Sequence, residues 1–447
     1  MTESDAPSPD RLRQTFAGIF GGAGPPHLIR APGRVNLIGE HVDYAGLPVM
    51  PMTLNREIRV ACRPRPDRLV RLHNLDARFP PAAFESASTV PPAPPGAWDN
   101  YARAAWQTVN RRLGRVCHGA DILVDGNIPP GAGLSSSSAL VVALALAALA
   151  GEEESPDPAA LAAWLAEGEQ YVGTRGGGMD QTVILRARRG HACPIDFLPP
   201  RVEHIPLSDT HDFVLCDSGR RAEKSGSARA RYNMQPLLCR LAAELMARQL
   251  SREFGEPVPL RYIGEFWLGP ACLTTREVLA LADRALPDDP AGPRDVALRL
   301  GIPVEAVQAQ WFDPLPEPNE PVRLRARVRW LAEEFRRVEL ARDALYEGDM
   351  GHFGRLMLAS HQGCRDLLEV SRPELDETVE AAMDAGALGA RMTGAGFGGF
   401  VIALVERRRT ADLIDTMNRR FHRRYPDLTG PGAFPAISAD PAGICRA

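Results

Sequence analysis

The sequence predicts an α+β chain of two domains, and three observations carry the prediction. Its 447 residues exceed what one compact core organises. Strand-like runs rich in Ile and Val are interspersed with helical spacings from one end to the other. Near Pro199-Pro200 the sequence turns polar and loop-like, dividing the chain into residues 1–200 and 201–447.

In order, Pro9 to Phe20 places Leu12, Phe16, Ile19 and Phe20 at helical spacing and stops at Gly21-Gly22. His27 to Val35 reads as a strand entering a turn, and Thr53 to Cys62 as another. A proline-heavy connection, 80–95, leads to a helix from Asp99 to Leu113, with Asp99 as its N-cap. Asp121 to Gly126 is a short strand, and the alanine-rich run Ala139–Ala150 is long enough for a buried helix. Pro158 to Tyr171 reads as a helix that Gly173–Gly178 breaks, with strands expected over Val183–Phe197 and Phe213–Asp217. In the second half, Asn233–Phe254 and Arg323–Glu347 are long amphipathic helices. Between them a proline-rich stretch, about 260–320, reads as a helical insertion. Pro373–Ala385 is helical, Met392–Gly399 is a glycine loop and Phe400–Glu406 a buried strand.

Composition removes several function classes. A net charge of −4 offers no support for nucleic acid or an anionic membrane as partner, and Arg407–Arg409 and Arg419–Arg424 read as solvated faces. Eight scattered cysteines form no CxxC pair, which argues against zinc or a disulfide framework and fits a reducing compartment. The polar, acidic start MTESDAPSPD is no signal peptide, and the apolar run Leu140–Ala150 is short of a membrane span. The expectation is a cytosolic protein, and the few exposed-looking apolar runs predict a monomer.

Four stretches carry chemistry. In PGAGLSSSSAL, Pro130 to Leu140, glycines and serines lead into a helix N-terminus, where unpaired N–H groups and the dipole favour an anion. It reads either as a triphosphate cradle or as an ordinary N-cap on a core helix. It is not a Walker A loop, because no Gly-Lys-Ser/Thr follows the glycines. In GRVNLIGEHVDY, Gly33 to Tyr44, the residues Glu40, His41 and Asp43 follow a glycine closely. Two carboxylates and an imidazole suit a binding edge for several hydroxyls, with an exposed polar turn as the alternative. Gly176-Gly177-Gly178-Met179-Asp180-Gln181 sets a carboxylate after three glycines, placed by backbone geometry rather than by a helix face. Asp180 there is either a base for a hydroxyl nucleophile or a plain turn residue. Glu169, eleven residues earlier, can join a serine hydroxyl in holding Mg²⁺. In Thr393–Gly399, TGAGFGG, the glycines permit either close ligand approach or a tight turn.

Together and in this order, the four stretches resemble the GHMP small-molecule kinases, and the match to the galactokinase family is close. GRVNLIGEHVDY resembles its sugar signature, PGAGLSSSSAL its phosphate loop and MTGAGFGGF its C-terminal glycine motif, so the resemblance runs from about Arg30 to Val405. It implies a ribosomal S5-like N-terminal domain, a ferredoxin-like C-terminal domain and a cleft between them. It also implies ATP- and Mg²⁺-dependent phosphorylation of a sugar's anomeric hydroxyl.

Residue by residue, the resemblance makes Asp180 the catalytic aspartate and Arg34 the arginine beside it. Ser137 and Glu169 match the magnesium ligands, and Gly131, Ala132, Gly133, Leu134, Ser135, Ser136 and Ser137 the triphosphate loop. Glu40, His41, Asp43 and Tyr232 match sugar-hydroxyl contacts, and Trp98 and Tyr101 lie where the family contacts adenine. Two departures bear on the sugar. GGGMDQ replaces the common GIMDQ and, with His361–Asp376, resembles the N-acetylgalactosamine kinase branch; Gln235-Pro236 replaces the usual Arg-Arg. The expected activity is therefore galactose 1-phosphorylation. The alternatives are an N-acetylgalactosamine or other C1 sugar kinase and, from a different class, a non-catalytic sugar and ATP sensor.

Overall fold

The structure, a computed structural model, describes residues 8–445 apart from 23, 154, 175, 222–226 and 429–431. The polar start of the chain (residues 1–7) and Arg175, just before the glycine run, lie outside the described residues.

Helix α1 (Pro9–Phe20) begins at Ser8, whose side chain accepts the Arg11 N–H, and ends at Gly21, where φ is +61°. Strands β1 (His27–Ile38), β2 (Met50–Pro64), β3 (Leu69–Asn74), β4 (Ala82–Glu85) and β5 (Ala120–Gly126) follow. They form one sheet in the order β14-β1-β2-β5-β3-β4, whose outer strand β14 is Gly443–Cys445. Alternation along the strands builds two faces. Leu28, Ala61 and Leu123 turn to the side covered by Leu12 and Phe16 of α1. Ile29, Val60, Ile122 and Val124 turn into the main core.

That second face receives helices α2 (Asn100–Leu113) and α3 (Ser136–Leu149), joined by α4 (Pro158–Gly168) and α5 (Met179–Arg186). Helix α3 is buried over almost its whole surface, as an alanine- and leucine-rich run without a polar face must be. Asp99 precedes α2 but does not cap it; its carboxylate accepts from Arg103 Nε at 2.8 Å.

The expected strand over Val183–Phe197 is overturned. Residues 179–186 are helical, and only the short strands β6 (His191–Ala192) and β7 (Ile195–Phe197) follow. Val183-Ile184-Leu185 suits either state, because a short apolar run does not distinguish strand from helix. Met179 and Val183, four apart, then bury one helical face. Asp180 accordingly stands in the first turn of α5, on a helix rather than on a turn.

Strands β8 (Pro200–Val202) and β9 (Ile205–Pro206) complete two small hairpin-like pairings, and β10 (His211–Asp217) opens the second sheet. Helix α6 (Ser227–Phe254) then precedes α7 (Glu265–Leu268), α8 (Thr275–Ala285), α9 (Pro293–Leu300) and α10 (Val304–Val307), the pieces of the expected insertion. Helices α11 (Leu324–Glu347), α12 (Met350–Asp366) and α13 (Pro373–Asp384) lead to β11 (Gly389–Met392) and β12 (Phe400–Glu406). Helix α14 (Thr410–Arg424) and β13 (Ala433–Pro435) close an antiparallel sheet ordered β11-β12-β10-β13. This sheet lies wholly beyond residue 200, whereas β14 returns to the first sheet, so a division at residue 200 is not clean. No described helix is long and apolar enough to cross a membrane.

Candidate active site

Three glycine-bearing segments meet where β1 leaves its ladder. Register shifts interrupt the β1–β2 pairing between Pro32 and Arg34 and again between Asn36 and Ile38. At the first, the Arg34 N–H donates to the Leu134 carbonyl at 3.2 Å, joining the strand to the serine loop. The glycine motif presses on the same loop, since a Cβ on Gly133 would sit 2.7 Å from the Thr393 carbonyl oxygen.

Arg34 is the centre of the junction. Its Nε donates to Asp180 Oδ1 at 2.7 Å and its Nη1 to the Gly133 carbonyl at 2.5 Å. Burial works against the charge, but Asp180 and then Glu40 outweigh it and hold the guanidinium above its ordinary pKa. On the far side, Asp180 Oδ2 accepts from Ser135 Oγ at 2.5 Å and from Ser138 Oγ at 3.2 Å. Ser138 Oγ also reaches Glu169 Oε1 at 2.8 Å. This geometry removes the capping role from Ser135. Ser135 stands at the N-cap position of α3 at φ +58°, makes no capping bond, and turns its hydroxyl to Asp180 instead. A non-glycine residue in the left-handed region is strained by about 1 kcal/mol or more, and such strain collects at functional sites. His41 (φ +56°) and Phe397 (φ +60°) share that conformation in the two neighbouring motifs.

Glu40 and His41 lie against the glycine motif. Glu40 accepts from Arg391 Nη1 at 3.0 Å and from the Gly394 N–H. Desolvation still dominates and raises its carboxyl above the usual range, against the pull of Arg391 and Arg34. The His41 Nε2 lies 3.1 Å from the Ala395 carbonyl, which only accepts, so Nε2 carries the proton; Nδ1 faces the Tyr44 hydroxyl at 3.1 Å. Burial lowers the His41 pKa to about 4, so the ring is neutral at pH 7. The Tyr232 ring, from α6, stands 5.8 Å from that of His41.

Asp43 does more than line the cleft. Its Oδ2 accepts the Gly177 N–H at 3.1 Å, fastening the glycine turn that precedes Asp180. A Cβ at Gly177 would lie 2.2 Å from the Asp43 carbonyl carbon and the Tyr44 nitrogen, so no other residue fits. Burial, and next the charge of Asp180, push the Asp43 carboxyl up, opposed by the N–H groups of Tyr44, Met179 and Gly177.

The cleft is thus lined by Arg34, Glu40, His41 and Asp43 from one segment and by Glu169, Asp180 and Tyr232 from three others. Ser135 borders it through Asp180, with Gly131–Leu134 and Ser136–Ser137 in the same loop and α3 start. Trp98 is not brought there: it is buried, and its indole N–H donates to the Pro80 carbonyl. Tyr101 stays within electrostatic reach of Glu169. Ser138 and Arg391 were missed by the sequence reading. Ser138 is signalled by its three-residue spacing from Ser135, which sets both on one side of a helix start. Arg391 is signalled by a charge inside an otherwise apolar strand.

Comparison with known proteins identifies the family. Residues 14–64 match the galactokinase galactose-binding signature, 100–188 the GHMP kinase N-terminal domain and 341–423 the GHMP kinase C-terminal family. The chain is 34% identical to a galactokinase of Roseiflexus sp. (strain RS-1) over 450 aligned residues, covering 97% of this chain and 96% of that one. It is 30% identical to the galactokinase of Dictyostelium discoideum, covering 93% and 88% respectively. In fold it matches the galactokinase of Lactococcus lactis complexed with galactose, at a TM-score of 0.79 and 24% identity over 97% of this chain and 99% of that one. The chain belongs to the galactokinase family of the GHMP kinases.

Proposed function

We propose that the chain transfers the γ-phosphoryl group of ATP to the anomeric hydroxyl of galactose, giving galactose 1-phosphate and ADP. The observation that carries this reading is the placement of Asp180, clasped by Arg34 on one oxygen and by Ser135 and Ser138 on the other, where the sugar signature meets the serine loop. Asp180 is the catalytic residue that receives the sugar hydroxyl, and Arg34 stabilises the charge that develops on the transferring group. Glu40, His41, Asp43 and Tyr232 bind the sugar. Residues 131–137 and the N-terminus of α3 bind the triphosphate.

The donor set also fits Mg²⁺. It offers hydroxyls and a carboxylate, all oxygen, and among the described residues no group of three or more His, Cys, Asp or Glu side chains is arranged to hold an ion. A cation that keeps its waters and binds chiefly to nucleotide phosphates suits such a set. Ser137 and Glu169 are the residues that would hold it, and when bound it offsets phosphate charge.

All eight cysteines are free thiols, which supports a cytoplasmic setting. The exposed large apolar side chains of the described residues, Ile19, Leu69, Phe254, Leu268, Leu298, Tyr346, Leu428, Ile437 and Ile444, are spread over helices, strands and loops from both halves of the chain, which supports a monomer.

The test is ADP release with Mg-ATP across a panel of free sugars, with Asp180→Ala alongside. Turnover on galactose that vanishes in the variant is the expected result. N-acetylgalactosamine belongs in the panel because GGGMDQ and the stretch His361–Asp376 resemble that kinase branch, and a strong preference for it would move the substrate and keep the chemistry. Binding of sugar and ATP without any ADP release would overturn the enzyme in favour of a sensor.

A further inference from the structure

Strand β11 carries an arginine that is fully buried between apolar neighbours. A guanidinium taken this far from water is kept only where specific acceptors hold it. Arg391 Nη1 donates to Glu40 Oε2 at 3.0 Å and to the Asn36 carbonyl at 3.1 Å, and its Nε reaches Ser360 Oγ at 3.3 Å. Ser360 in turn donates to Glu334 Oε1 at 2.7 Å, and the same oxygen accepts the Gly39 N–H at 2.9 Å. A line of polar groups therefore runs from α11 through α12 and β11 into the Gly39–Glu40 corner. Although that corner belongs to the end of β1, side chains from the second half of the chain fix its backbone at Gly39 and its carboxylate at Glu40. Arg391 Nη2 is buried with no hydrogen-bond partner among the described residues.

We propose that Arg391, backed by Ser360 and Glu334, is a positioning residue that aims the Glu40 carboxylate at the sugar. The strand leading into the C-terminal glycine motif then sets sugar affinity without touching the sugar. The proposal rests on the galactose reading above.

The test is galactose binding by calorimetry, with KM and kcat, for Arg391→Met, Arg391→Lys, Glu40→Gln and the Glu40→Gln/Arg391→Met double variant. Arg391→Met is expected to raise the Kd and KM for galactose about tenfold, with KM for ATP within about twofold, as loss of a charged hydrogen bond to a ligand-binding group predicts. Arg391→Lys recovers part of the loss, and the double variant binds no more weakly than Glu40→Gln alone, because the two side chains act as one unit. A role confined to the fold would lower the melting temperature and the active fraction and leave the Kd of the folded protein unchanged. Parental galactose affinity in folded Arg391→Met, or in Arg391→Lys if the methionine variant does not fold, overturns the proposal, as do multiplicative losses in the double variant. Failure of the unsubstituted chain to bind galactose is visible before any substitution and overturns the substrate reading together with this one.

Discussion

Arg34 Nε and Asp180 Oδ1 lie 2.7 Å apart, joining strand β1 to the first turn of α5 across 146 residues of chain. Each is the other's counter-charge in a place with little water: the Arg34 side chain is 7% exposed and that of Asp180 23%. Replacing Asp180 by Asn keeps the shape, removes the charge and leaves the buried guanidinium with the Gly133 carbonyl and the charge of Glu40 alone. Turnover is expected to fall by at least 10²-fold, since one preorganised electrostatic group is worth about 3–4 kcal/mol. Arg34→Ala should cost a similar factor and the double variant little more, because the pair works as a unit. Steady-state ADP release checks this, and additive losses would contradict it.

Ser135 accepts backbone strain for placement. At φ +58° a serine is strained where glycine is not. Ser135→Gly relieves about 1 kcal/mol of strain but gives up the buried hydrogen bond to the Asp180 carboxylate, about 1.5–3 kcal/mol, and frees the unfolded backbone. Lower kcat with no gain in melting temperature is the expected combination, measured on one preparation.

Two glycines separate close approach from mere flexibility. Gly177→Ala drives a methyl into the Asp43–Tyr44 backbone and should abolish turnover, because the turn before Asp180 must move. Gly18, inside α1, has nothing within 4 Å of a built Cβ. Gly18→Ala should leave activity alone and add about 0.5–1 kcal/mol to stability. Equal behaviour of the two variants would refute the packing argument.

His41 gives the fold an acid limit. Its folded pKa of about 4 lies below the ordinary 6.5, so between those values the unfolded chain takes up the proton first. Its contribution is whole above about pH 6.5 and is lost as the pH falls toward 4, a total of about 3 kcal/mol. Arg327 and Arg391 face the ring and oppose its protonation further. Denaturant unfolding of the parent and of His41→Gln at pH 7 and pH 4.5 should show the parent losing more; parallel losses would refute it.

Local chemistry was legible where one element decides it. The helix Pro9–Phe20 is read to the residue, because proline opens it and Gly21 closes it. The serine run, the GEHVDY corner and the two other glycine stretches were legible as separate pieces. Their meeting was not, since Arg34 finds Asp180 and His41 finds Ala395 only through tertiary packing. The misread strand at 183–197 has the same origin: Val-Ile-Leu takes its state from the helices it packs against. Arg391 was hidden because a buried charge is explained only by its partner, Glu40, far away in sequence.

The pairing of β14 with β1 sets Leu28 beside Cys445 and Arg30 beside Gly443. A ribosome reaches residue 443 some 413 residues after it has made residue 30, and at roughly 5–20 residues per second that is on the order of 20–80 s. During that interval β1 has β2 on one side and a bare row of N–H and C=O groups on the other. An open strand edge invites pairing with another chain. The nascent first half therefore passes through a period in which the Leu28–Arg30 edge of the strand that bears Arg34 is open, and the arrival of residues 443–445 is what seals it.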